Sequence, residues 1–178
     1  MRAPGWIACF AGLAAFVGFA ELALAQEVAS DIGYGRQHSM HLGLSLGVGS
    51  GTHGMRYAGG ASFGYFVLPG VAPGADIGIS GGSDVLTTTA LTGTLRLVPL
   101  RTHGFALFLI GRAGRLFISK HDDVWGAGGG LGAVIATGGN FGIQISYEIL
   151  GLFPSRHCSD LRSGCRLDSF GLGLIVGY

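Results

Sequence analysis

The sequence predicts an all-β protein, an eight-stranded antiparallel up-and-down transmembrane β-barrel preceded by a cleaved signal peptide. From Met40 onward, eight segments of about ten residues alternate large apolar residues with glycine, serine or charged residues, which is the period of an extended strand. Charged residues make up 12% of the chain and hydrophobic residues 48%, whereas a soluble domain carries roughly 25% charged residues. Downstream of the first 25 residues no apolar run reaches the roughly 20 residues of a membrane-spanning helix. A closed barrel is the other structure that satisfies its backbone in lipid.

Residues 1–25 read as the signal peptide: Arg2 gives the positive start, Trp6 to Ala20 is a short apolar run, and Ala23-Leu24-Ala25 is a small-x-small cleavage site. Glu21 interrupts the run, which argues against an anchor, and Cys9 is removed with the signal. Residues 26–39 are polar and show no alternation, so they are read as a periplasmic lead-in to the barrel at 40–178. The net charge of +1, with no basic run, gives no electrostatic argument for nucleic acid, and none is expected as a partner. Thirty-five glycines could signal disorder, but they alternate with Leu, Ile, Val and Phe, a pattern disordered segments lack.

The first segment, Met40 to Gly49, sets Met40, Leu42, Leu44, Leu46 and Val48 outward against His41, Gly43, Ser45, Gly47 and Gly49. The second, Met55 to Leu68, opposes Tyr57, Phe63 and Tyr65 to Arg56, Ser62 and Phe66. Pro69-Gly70 and Pro73-Gly74 mark the next reversal. The third segment runs from Gly74 to Gly81 with Asp76 inward, and the fourth from Thr87 to Val98 with Arg96 inward, ended by Pro99. In the fifth, Phe105 to Ile118, Phe108 and Ile110 share the inward side with Arg112. The sixth is Val124 to Ala136, and the seventh, Phe141 to Leu150, puts Gln144, Ser146 and Glu148 inward. The eighth, Asp168 to Tyr178, has Phe170, Leu172, Leu174, Val176 and Tyr178 on one face and small residues on the other, with Ile175 the large exception.

With both termini at one end, Tyr65, Phe105, Phe141 and Tyr178 fall at the inner rim and Tyr57, Phe117, Trp125 and Phe170 at the outer rim. Two aromatic girdles are what amphipathic rings favour at bilayer interfaces. A soluble barrel would turn the same alternation inside out. The low charge, signal peptide and girdles favour the membrane version.

Five inward charges, Arg56, Asp76, Arg96, Arg112 and Glu148, form the expected lumen network. Asp76 and Arg96, on neighbouring strands, are expected to pair, and Glu148 lies within reach of Arg112 or Arg56. Cys158 and Cys165 share one exported loop and read as a disulfide worth roughly 2 to 3 kcal/mol. No metal site, cofactor site or catalytic triad is evident; His157-Cys158-Ser159 has no following Glu.

Signal peptide, eight alternating segments, aromatic rims and the closing aromatic together resemble the small outer-membrane β-barrels of Gram-negative bacteria, of the OmpA/OmpX-type architecture. The resemblance implies a monomer in the cell outer membrane whose partners are outer-membrane lipids and, during biogenesis, the barrel-assembly machinery. It also implies that Phe170, Leu172, Leu174, Val176 and Tyr178 form the assembly signal. The expected function is structural or surface-interacting, with an unidentified external ligand or host surface. The alternatives are a small gated pore through the polar lumen and a lipid-modifying outer-membrane enzyme.

Overall fold

The computed structural model describes residues 34–51, 54–82, 85–102, 104–119, 123–138, 140–153 and 166–177. Cys9 with the signal peptide, the first part of the lead-in, Cys158, Cys165 and Tyr178 lie outside the described residues. The eight strands are β1 (Met40–Gly51), β2 (Gly54–Tyr65), β3 (Val71–Gly82), β4 (Val85–Thr102), β5 (Phe105–Ile118), β6 (Val124–Gly138), β7 (Phe141–Phe153) and β8 (Arg166–Gly177). Each pairs antiparallel with its sequence neighbour, and β8 closes on β1 through pairs such as Leu42 with Val176 and Val48 with Phe170.

Closure fixes the tilt. Following partners from Gly177 through His41, Gly64, Gly74, Thr94, Arg112, Gly128 and Leu150 leads back to β8 at Leu167, ten residues from the start. A shear of ten on eight strands tilts them by about 40° from the barrel axis. Twelve residues then rise about 30 Å, enough to carry an apolar band about 25 Å tall. The band is present: Leu44, Leu46, Ile77, Ile79, Leu131 and Leu174 all stand exposed on the outer face. In water this continuous surface would be an aggregation site; against lipid it is the solvated side.

Four strands differ in extent from the sequence reading by three residues or more: β2 stops at Tyr65 short of Leu68, β7 runs on to Phe153, and the differences in β3 and β4 involve proline. β4 runs on through Pro99 to Thr102, with the register shift between Leu97 and Leu100 forming a bulge. A proline is tolerated there because the bulged residue donates no ladder bond. Pro73 also lies inside a strand, opposite Leu95, so β3 starts at Val71. Only Pro69-Gly70 makes the reversal, where Gly70 takes φ 72° and the Val71 amide donates to Leu68 O at 3.0 Å. A left-handed residue after proline is the mark of a type II turn.

Inside, side chains are layered along the axis. At the end holding the β1 start and the β8 finish, hereafter the terminal end, Phe66, Val98, Ala106, Phe108, Val134 and Ile175 form a buried cluster together with Tyr34. Toward the opposite, loop end, a smaller cluster of Leu116, Val124 and Leu152 is joined by Leu150 and Leu167. The polar residues lie between these clusters and along one wall.

Candidate functional site

The inward faces of β8, β1, β2, β3 and β6 carry mostly glycine, serine and alanine, with His41, Arg56 and Asp76 as the long polar exceptions, while Arg96, Arg112, Gln144 and Glu148 come from β4, β5 and β7. A bare wall facing a charged one leaves space. Two adjoining cavities of about 150 and 170 Å³ occupy it, and Arg112 and Glu148 line both.

At mid-height Arg112 bridges two carboxylates, its Nη2 lying 3.0 Å from Asp76 Oδ2 and 2.8 Å from Glu148 Oε2. One guanidinium thus holds β3, β5 and β7 together across the lumen. Asp76 meets Arg112 in place of Arg96, the partner expected from adjacency. The reason is register: Asp76 stands opposite Thr92, and Arg96 lies four residues, about 13 Å, further along β4.

Arg96 turns instead toward the terminal end. Its Nη1 donates to Tyr34 Oη at 2.6 Å and to Gln144 Oε1 at 3.1 Å, and its guanidinium sits 4.5 Å above the Phe108 ring. A buried cation needs such partners, and the ring face supplies a further attractive contact. Burial raises the Tyr34 phenol above its ordinary value, with Arg96 pulling against that shift. Tyr34 therefore stays neutral.

Tyr34 belongs to the aperiodic lead-in, where no lumen residue was expected. The described part of that segment folds back into the barrel mouth. Gly35, at φ 86°, accepts from Arg101 Nη1 at 2.6 Å and from the Gly70 amide at 2.9 Å. Its carbonyl is placed by a conformation that glycine adopts without strain. The His38 amide donates to Phe66 O and the Phe66 amide to Ser39 O, at 2.8 and 2.9 Å. The lead-in is thus stitched to the β2–β3 turn, and Tyr34 makes edge contacts with Phe66 and His41.

Arg56 lies nearer the loop end. Its Nη2 donates to Ser80 Oγ and Thr88 Oγ1, both at 2.9 Å. Among the girdle residues, Tyr57, Phe117, Trp125, Phe141 and Phe170 are exposed on the outside, while Tyr65 and Phe105 are half-buried. Phe153, which the sequence reading left out, adds a further exposed ring at the loop end. Arg115 projects outward there and pairs with Asp123 at 3.2 Å.

A closed eight-stranded sheet with its apolar residues outside and its charges inside decides the architecture. The fold is that of the small outer-membrane barrels. Neisserial surface protein A superposes with a TM-score of 0.57 at 12% identity, over 78% of this chain and 95% of its own. The N-terminal β-barrel domain of Pseudomonas aeruginosa OprF gives 0.55 at 16% identity, over 80% and 98%. The outer membrane enzyme PagL gives 0.52 at 13% identity, over 75% and 98%. No family model matches the chain, and no curated protein matches it in sequence. His157, Cys158 and Ser159 lie outside the described residues.

Proposed function

We propose that the chain is an integral outer-membrane barrel, exported through the periplasm, with a structural or surface-interaction role and no catalytic site. The observation that carries this reading is a lipid-facing apolar belt around a lumen stoppered at its terminal end by Tyr34, Phe66, Val98, Phe108 and Ile175. Ion pairing of Asp76 and Glu148 to Arg112 commits the central charges to holding strands together. The closed sheet leaves no free strand edge, which favours a monomer among outer-membrane lipids. Short turns at the terminal end and the 154–165 connection at the other fit a barrel whose terminal end faces the periplasm.

The test is direct. Detergent-only extraction, heat-modifiable gel migration and electrical silence in planar bilayers are expected. A steady conductance altered by Glu148→Ala would replace this reading with the gated pore, which the two adjoining cavities favour. A changed lipid A profile on overexpression would replace it with the enzyme, and recovery as a soluble periplasmic protein would remove the membrane assignment.

The closing strand is assigned the assembly role. Phe170, Leu172 and Leu174 are exposed on its outer face, where assembly machinery could read them before closure. Removing Tyr178 is expected to lower outer-membrane yield severalfold while the purified chain still refolds in detergent. An unchanged yield would refute the role.

A further inference from the structure

The lumen charges do not balance. Arg56, Arg96 and Arg112 face Asp76 and Glu148, and both carboxylates are taken by Arg112. Arg96 is buried against Tyr34, Gln144 and the Phe108 ring. Arg56 differs from both. Among the described residues it meets two hydroxyls and no carboxylate, and it is only half-buried.

This guanidinium lines the half-open cavity of about 170 Å³ toward the loop end, which Leu116, Leu150 and Leu167 also line. Glu148 and Asp168 also line this cavity, but they are paired to Arg112 and Arg166. The Arg56 guanidinium, which keeps its charge at any working pH, is left with the two hydroxyls and is stabilised by an added anion. Ser80 and Thr88 hold the head through one nitrogen, which reduces the ordering cost a ligand would otherwise meet. The leucines add an apolar surface beside the polar groups of this cavity, whose volume is of the order that holds one benzene-sized ring.

We infer that this cavity is a binding site for a compact organic monocarboxylate, with the carboxylate on Arg56 and the apolar body against Leu116, Leu150 and Leu167. Arg112 and Glu148 of the central bridge line the site and stay paired to each other. Its ligand class is set by the one lining arginine that meets no carboxylate among the described residues, beside a small apolar surface. A dianion would exceed the available charge, and a long acyl chain would exceed the volume.

The probe is 4-fluorobenzoate, followed by fluorine NMR on the folded barrel in detergent, with protein-free micelles as the blank. Saturable binding is expected, weakened at least tenfold in Arg56→Gln and at least tenfold for 4-fluorobenzyl alcohol, which has the same body without the charge. Heat-modifiable migration of the variant checks that it folds. Ala90→Leu fills the cavity without altering its charge and is expected to abolish binding, which keeps the inference testable if Arg56→Gln misfolds. Absence of saturable binding overturns the inference. So does equal binding by Arg56→Gln, by Ala90→Leu or of the alcohol, and so does equally effective competition by inorganic phosphate.

Discussion

Arg112→Met is expected to destabilise the folded barrel by about 2–4 kcal/mol, read from the urea midpoint of its heat-modifiable band in lipid vesicles. The wild-type guanidinium touches carboxylates on two other strands, at 3.0 and 2.8 Å. Methionine keeps the unbranched stem of the side chain but removes the guanidinium, and leaves Asp76 and Glu148 facing each other's charge with no cation between them. Breaking a fully buried pair costs about 3–5 kcal/mol. The lower figure here allows for side chains that remain 14 to 24% exposed toward the cavities. The cost lies in stranded charge, so the triple variant Asp76→Asn, Arg112→Met, Glu148→Gln is expected to return within about 1 kcal/mol of the wild type. A single variant that loses under about 1 kcal/mol would show that the bridge holds nothing together.

The expected size of this effect explains why the bridge was half legible in the sequence. Strand parity alone turns Asp76, Arg112 and Glu148 inward, because a period of two is written into every segment. Their partners are not written there. Pairing depends on the shear, which adds up over all eight strands and cannot be read from any one of them. The sequence therefore pointed to Arg96 for Asp76, but the β3–β4 register sets Asp76 opposite Thr92 and leaves Arg96 to Tyr34, while the shear brings Arg112 and Glu148 to Asp76's height.

Tyr34 was illegible for a different reason. It sits in a stretch without periodicity, so nothing in its own neighbourhood places it. A signal did exist elsewhere. Phe66, Phe108, Ile110 and Ile175 are large apolar residues on the inward parity of their sequence segments, and all four converge in the cluster at the terminal end. Read together, these exceptions mark a stopper inside an otherwise polar lumen, and a stopper at the terminal end calls for a lid from the adjoining lead-in. Pro99 misled because its missing donor argues for a strand end, while a bulge accommodates it within the strand.

Leu46→Arg is expected to cost about 2–4 kcal/mol in lipid vesicles, and Met55→Arg about 0–1 kcal/mol. Both residues are exposed, Leu46 at 74% and Met55 at 63%, so burial within the protein does not separate them. Depth does. Leu46 lies midway along β1, opposite Gly59 and Leu172, whereas Met55 is the second residue of β2 and pairs with Ser50 at the loop end. At mid-height arginine must either leave its charge in hydrocarbon or thin the bilayer; at the rim it reaches the headgroups by extending its side chain. A barrel whose outer face met water would register neither change, since an exposed leucine replaced by arginine gains solvation. The difference between the two variants, measured in the same vesicles, thus gauges the bilayer's depth on the barrel wall. Equal costs at the two positions would mean that lipid does not contact the belt.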